Sequence, residues 1–444
     1  MRALLAPWPP DASTAIITNV SAPQPPWYRQ VTADQWRAFW AAYLGWMLDG
    51  FDFNILAFVL VDVQRSFEVD NALAGALLSI GALFRVIGGA SAGAAADRWG
   101  RKGPLMFSIL CYSLLTFLSG FSTTYRVLFA CRALFGIGMG GVWAAGMPLA
   151  LEHWPAHLRG LASGLLQSGY ATGYMLMAVV HQIAYPFLRG RGDLAWRAFF
   201  WAGILPSLLV LWIMWRVKES PVWLERQQQV KSARVAGEPR KLQTSGFVSL
   251  FQGSLLPIVI QSTLLMGCLL FLYNSIAYLY PTLLLRDMGR QTLPFVVAFN
   301  IGGMTGAVAF GRLSETWLGR RGAAGLATIV GVASIPLYLF STSGALLAAG
   351  ALLMGFFGTG NFGVTPTYLS ERFPTAVRAA GAGFSYQAGA ALAALAPTLI
   401  GVLQDRGMPL ASAMAWCIAG SGLAVLVLLA LGPETRGRSF SATQ

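Results

Sequence analysis

Glu152-His153-Trp154-Pro155-Ala156-His157-Leu158-Arg159 returns downstream as Glu371-Arg372-Phe373-Pro374-Thr375-Ala376-Val377-Arg378. The shared frame is Glu-x-x-Pro-x-x-x-Arg, and the offset is 219 residues, 378 minus 159. A second pattern obeys the same offset. Asp97-Arg98-Trp99-Gly100-Arg101-Lys102 recurs, with one inserted residue, as Glu315-Thr316-Trp317-Leu318-Gly319-Arg320-Arg321, which again separates Gly100 from Gly319 by 219. The chain reads as two copies of one unit running in the same direction. In an apolar polypeptide this predicts a transporter of two parallel halves that rock about a central site.

Apolar the chain is. Of 444 residues, 56% are hydrophobic and 11% charged, where a soluble globule carries about 25% charged residues. The lipid bilayer is therefore an expected partner. The net charge of +13 is scattered singly among apolar runs and makes no basic stripe, which argues against nucleic acid. Cys111, Cys131, Cys268 and Cys417 lie in apolar runs at spacings that suit neither a metal site nor disulfides. No HExxH pattern is present and the chain has only three histidines, so neither an enzyme nor a cofactor is expected.

Spans of roughly 20 apolar residues cross a bilayer. Twelve are read near 37–61, 72–94, 104–121, 126–150, 160–186, 196–216, 251–284, 292–312, 323–341, 344–369, 379–403 and 409–431. The expected organisation is a flexible cytoplasmic tail over 1–35, a six-helix half over 36–217 and a cytoplasmic central loop over 218–250. A second six-helix half over 251–432 and a tail over 433–444 complete it. With both termini inside, 21 Lys or Arg fall on the cytoplasmic side, eight outside and two, Arg85 and Arg132, within helices. The positive-inside rule favours that orientation in the cell membrane, the inner one in a bacterium.

The motifs carry a family resemblance. Gly93-x-x-x-Asp97-Arg98-x-Gly100-Arg101-Lys102, Arg132-x-x-x-Gly136-x-Gly138 and Pro433-Glu434-Thr435-Arg436-Gly437 resemble three signatures of the major facilitator superfamily. Gly45 to Phe53, Glu152 to Arg159, Trp196 to Pro206 and Ala380 to Tyr386 are similar to the sialate:proton symporter family of sialic acid and lactate or pyruvate permeases. The resemblance implies an all-α fold of two six-helix halves and proton-coupled import of a small organic carboxylate, by a functional monomer. It also implies a part for Arg132 in proton coupling. The chain departs from the family at Val142 and over Asn274 to Tyr280, which leaves the particular acid open. Export of metabolites or drugs, sugar or polyol import, and a membrane nutrient sensor are the alternatives.

Buried charge supplies the candidate chemistry. Asp49 and Asp52 fall about 18 and 22 Å along the first span, near the bilayer middle. Spaced i, i+3, they share a face, and burial with mutual repulsion favours a held proton. Arg85 reaches an overlapping depth on the second span and needs a carboxylate or an anionic ligand. It is expected to exchange an aspartate for the substrate carboxylate; a permanent Asp–Arg pair is the structural alternative. Arg132 lies nearer the outer end, where a snorkelling role is open. Gln167, Tyr170 and Tyr174 make one polar aromatic face, and Tyr386 and Gln387 hold the matching place in the second half, since 167 plus 219 is 386. Asn54, Asn274, Asn300 and Asn361 are further ligand candidates, with interhelical bonding as their alternative. Asp97, Arg98, Arg101, Glu152, Arg159, Glu315, Arg320, Glu371 and Arg378 are read as a cytoplasmic gate of breakable ion pairs.

Overall fold

The computed structural model describes residues 26–69, 71–188, 190–235 and 247–438. It is all-helical, with no strand among the described residues. The chain opens with α1 (Ala33–Phe67), α2 (Asn71–Trp99), α3 (Lys102–Ser119), α4 (Tyr125–His153) and α5 (Arg159–Leu188). Next come α6 (Leu194–Ala202) and α7 (Ser207–Arg216), one rod broken by a turn over 203–206, then α8 (Pro221–Val235). The C-terminal set holds α9 (Leu255–Ala277), the short α10 (Tyr280–Thr282), α11 (Leu293–Leu313), α12 (Gly319–Ala333), α13 (Ile335–Leu339) and α14 (Gly344–Leu353). It closes with α15 (Thr365–Arg372), α16 (Arg378–Ala393), α17 (Ala396–Asp405) and α18 (Leu410–Leu431).

Among the described residues, ten stretches are long and apolar enough to cross a membrane: Ala33–Leu60, Ser79–Trp99, Lys102–Ser119, Tyr125–His153, Leu194–Arg216, Leu255–Thr282, Leu293–Leu313, Gly344–Arg372, Arg378–Gln404 and Leu410–Leu431. The expected fifth and ninth spans, α5 and α12–α13, are helical and fall outside those ten.

Local chemistry explains the ends and breaks. Thr32 and Gln35 form a reciprocal capping box that starts α1. Between α14 and α15 the helix widens to a π turn at Met354–Gly358 and tightens to a 3-10 turn at Gly360–Gly363. Glycine is the poorest ordinary helix former, and here it lets backbones touch: a Cβ on Gly355 would lie 2.0 Å from the Phe299 carbonyl.

Residues 1–25, 236–246 and 439–444 lie outside the described residues, and the stretches next to them are ordered against the bundle. In 26–35, read as flexible tail, Trp27 packs on Trp36 at 6.1 Å and Val31 is buried. Aromatic surface anchors this stretch to the bundle. The central loop carries α8, opened by Pro221 at the first helical position and by the Ser220 hydroxyl accepting from Trp223 N at 3.2 Å. In 433–438, read as tail, the Glu434 carboxylate accepts from the N–H of Arg320, Arg321 and Arg436.

Both described termini pack at one end of the bundle, the terminal end. There Val31 shares a core with Trp154, Phe373 and Leu429, and Thr435 bonds Glu371. Two seams join the N-terminal and C-terminal sets, α2 against α16 and α5 against α11. Glycine makes them tight. A Cβ on Gly164 would sit 2.3 Å from the Ala307 carbonyl, and one on Gly160 2.2 Å from that of Gly311.

Candidate functional site

Asp49 on α1 is fully buried, and Oδ2 accepts from Arg85 Nη2 at 3.3 Å. Arg85 on α2 is itself buried, its guanidinium 5.9 Å from the Trp46 ring and 5.8 Å from that of Phe53. Gly140 makes this arrangement possible by letting α4 approach α2: a Cβ there would be 2.3 Å from the Arg85 carbonyl. Trp46 meets Tyr170 at 5.2 Å and Tyr386 edge-on at 6.3 Å. Tyr386 stacks on Trp143 at 4.3 Å, which brings α16 over α4 between the two sets. Gln387 stands beside it, with Nε2 3.5 Å from the Gly140 carbonyl.

This centre is short of partners. Among the described residues, Asp49 Oδ1, Arg85 Nε, Gln167 Oε1, Gln387 Oε1, Trp46 Nε1 and Trp143 Nε1 are buried without a hydrogen bond. Buried polar atoms are nearly always bonded in a finished interior, so such a concentration marks a place built to take polar groups. Trp46 and Trp143 were not singled out in the sequence. Tryptophans in apolar spans are ordinary, and only their stacking on Tyr170 and Tyr386 distinguishes them.

The structure parts the two aspartates. Helix geometry turns residues three apart by about 60°, so one face in sequence becomes two neighbours in a crowded bundle. Asp52 points to α3 and α4, where it lies beside Thr116 and interacts electrostatically with Arg132. Arg132 is not a snorkelling side chain. It is 2% exposed, donates to Thr116 at 3.3 Å and Ser119 at 3.0 Å, and lies 4.1 Å from the Phe135 ring centre. The cavity beside it, lined by Phe53, Leu56, Leu77, Gly81, Arg132 and Phe135, measures about 10 Å³, at most about one water.

The amides bond within their own set of helices. Asn54 donates to the Gly50 carbonyl at 2.7 Å and Asn300 to that of Val296 at 2.8 Å, each one turn back. Asn274 donates to the Ala393 carbonyl at 2.9 Å and Asn361 to Thr328 at 3.4 Å, joining helices of the C-terminal set. Tyr174 packs against Phe58 at 5.9 Å.

At the terminal end a second cluster ties the sets together. Arg101, fully buried, binds Asp97 at 2.7 Å and Glu152 at 3.2 Å. Glu152 also takes Arg378 from across the seam at 3.0 Å. Asp97 accepts from the N–H of Ala379 at 3.2 Å and Ala380 at 2.9 Å, the positive first turn of α16. The second copy repeats the plan. Arg320 binds Glu315 at 2.9 Å and Glu371 at 3.0 Å, while Glu315 accepts from Gly160 N in the first turn of α5. Arg159 donates to the carbonyls of Leu151 at 3.1 Å and Arg438 at 3.3 Å. Arg98 is a correction: it is exposed, 5.6 Å from the Trp99 ring, and stands outside the cluster. As the residue after Asp97 on α2, it points away from the seam.

Four members went unrecognised in the sequence. Glu219 caps the Arg101 and Lys102 amides as Glu434 caps those of Arg320 and Arg321. Ser220 donates to Glu152 at 2.5 Å as Thr435 donates to Glu371 at 2.7 Å. Glu-Ser at 219 and Glu-Thr at 434 form a third repeat, 215 residues apart, which was the available signal. Gly100 and Gly319 receive these carboxylates at φ +100° and +68°, with Glu219 and Glu434 where a Cβ would stand.

A multi-pass apolar bundle with a charged, partner-poor centre between two sets of helices is the build of a membrane transporter rather than an enzyme. The chain belongs to the Major Facilitator Superfamily, which it matches over residues 42–397. It is 33% identical over 416 residues to a probable 4-methylmuconolactone transporter of Cupriavidus pinatubonensis, covering 93% of both chains. It is also 33% identical over 383 residues to the sialic acid transporter NanX of Escherichia coli, covering 84% of this chain and 88% of that one. The fold matches the proton:xylose symporter XylE with a TM-score of 0.71 at 20% identity, over 92% of this chain and 98% of that one.

Proposed function

We propose that the protein imports a small organic carboxylate together with a proton, by alternating access. The observation that carries this reading is the buried Arg85–Asp49 pair, 3.3 Å apart beside the Trp46 ring that meets Tyr170 and Tyr386. When Asp49 takes a proton its hold on Arg85 lapses. The planar guanidinium then accepts the substrate carboxylate as a two-pronged partner. When the carboxylate leaves, Arg85 again needs an anion, and Asp49 supplies it by releasing the proton. Each half-cycle keeps the arginine paired, which a dry interior demands. Asp52 and Arg132 form the second proton-responsive pair. Gln167, Tyr170, Tyr174, Tyr386 and Gln387 contact the rest of the cargo, with Asn54, Asn274, Asn300 and Asn361 holding the surrounding helices.

The terminal cluster acts as the cytoplasmic gate, a reading supported by the pairing of Arg378 with Glu152 and of Asp97 with the first turn of α16. Twelve spans, in halves over 36–217 and 251–432, rock about the centre with both termini in the cytoplasm, and the monomer of the cell membrane is the working unit. A sialic acid transporter among the relatives supports an acid as cargo. Uptake into proteoliposomes across a panel of labelled acids, with and without an imposed pH gradient, tests the reading. Asp49→Asn and Asp52→Asn are expected to lose gradient-driven accumulation and keep part of exchange; full accumulation in both removes these carboxylates from coupling.

A further inference from the structure

Arg372 ends α15 and is 8% exposed. Among the other buried arginines, Arg132 and Arg159 donate to hydroxyls and carbonyls, whereas Arg85, Arg101, Arg320 and Arg378 each hold a carboxylate at 2.7 to 3.3 Å. Arg372 does not: its Nη1 donates to the Tyr368 hydroxyl at 3.0 Å, and no carboxylate of the described residues lies within ion-pair distance. The neighbouring Glu371 is turned to Arg320. A buried guanidinium without an anion is costly, which makes the place where it points informative.

It points to the end of α18. A Cβ on Gly432 would lie 2.3 Å from the Tyr368 hydroxyl, 2.8 Å from Gln261 Nε2 and 3.2 Å from Arg372 Nη1. Gln261 on α9 donates to the Leu428 carbonyl at 2.8 Å and leaves Oε1 buried without a partner. A second cation, Arg321, donates to the Ala430 carbonyl at 2.9 Å on the same helix end. The apolar spans Gly344–Arg372 and Leu410–Leu431 both stop here, the depth at which lipid phosphates lie. Leu431 and Ile260 are exposed beside it, as positions facing acyl chains are.

We propose that Arg372, with Gln261 and Tyr368, binds the phosphate of an anionic membrane lipid whose headgroup carries a hydroxyl. The guanidinium takes the phosphate oxygens, Arg321 adds charge at the rim, and the headgroup hydroxyl donates to the orphan Gln261 Oε1. The site lies outside the Arg85–Asp49 centre and stands or falls apart from the transport reading.

Thermal unfolding of the full chain in detergent tests it, with phosphatidylglycerol, phosphatidylcholine or inorganic phosphate added. Phosphatidylglycerol is expected to raise the midpoint above phosphatidylcholine at equal concentration, because a ligand that binds only the folded state stabilises it. Arg372→Gln should weaken the apparent phosphatidylglycerol affinity about tenfold, and Arg372→Lys less. Stabilisation by inorganic phosphate alone, lost in Arg372→Gln, would keep the phosphate site and assign its source to the soluble ion. An unchanged preference for phosphatidylglycerol in Arg372→Gln overturns the proposal and leaves Arg372 as a partner of the α18 dipole. If that variant does not fold, Tyr368→Phe removes the hydroxyl that holds Nη1. It should weaken the preference several-fold, and no change overturns the proposal equally.

Discussion

Gly164→Ala probes the seam on which rocking depends. The added methyl would stand 2.3 Å from the Ala307 carbonyl oxygen and 2.9 Å from Val308 Cα. Both are backbone of α11, so no side chain can swing aside, and α5 and α11 must separate at the terminal end. Overpacking a tight contact costs about 1 to 3 kcal/mol. The arrangement in which the terminal ends have parted escapes that cost. The equilibrium should therefore move toward it by about 5- to 150-fold. Spin labels on Trp99→Cys and Trp317→Cys report the change, since both positions are exposed at the terminal end, one in each set. The expected result is a longer distance population in Gly164→Ala and slower turnover. Gly401→Ala, whose Cβ meets nothing within 4 Å, serves as the control. An unchanged distance distribution in Gly164→Ala would refute the idea that this seam opens.

Three further outcomes are expected. Arg85→Lys should raise the apparent KM for the transported acid at least tenfold, because a point charge cannot replace a planar fork; an unchanged KM removes Arg85 from cargo binding. Glu152→Gln takes the anion from between Arg101 and Arg378, and losing one partner of a buried pair costs about 3 to 5 kcal/mol, so the unfolding midpoint should fall and the Trp99–Trp317 label distance lengthen. Burial works against the Glu434 charge, yet backbone N–H donors from Arg436, Arg320, Arg321 and Thr435 hold its carboxyl below the ordinary 4.5. That stabilisation is present above the ordinary value and is lost as pH falls through the lowered one. Wild type should therefore exceed Glu434→Gln in stability at neutral pH, with the gap shrinking in acid; a gap constant from pH 7 to pH 3 would show that charge is not the cause.

Much of the terminal cluster was legible because its chemistry is local and repeated. Glu152 and Glu371, or Arg101 and Arg320, stand at fixed distances from a span end, so their level in the bundle follows from counting. Arg98 was misread for the same reason: counting gives level and not direction. The asparagines show the limit from another side. Asn54 and Asn300 satisfy themselves one turn back on their own helices, and no pattern of residues announces that choice.

Hydropathy and repeat spacing therefore told from sequence alone that the chain is a doubled membrane bundle with charges at mid-depth and at one rim. Those properties depend on distance along a helix, which is 1.5 Å per residue whatever the neighbours. Only the tertiary structure decided that Asp49 meets Arg85 while Asp52 turns to Arg132, that Trp143 stacks on Tyr386 across the sets, and that Arg372 is left facing the end of α18. The rotation of each helix about its own axis is set by packing against all its neighbours at once. A span that is apolar on every side carries no periodic signal from which that rotation can be read.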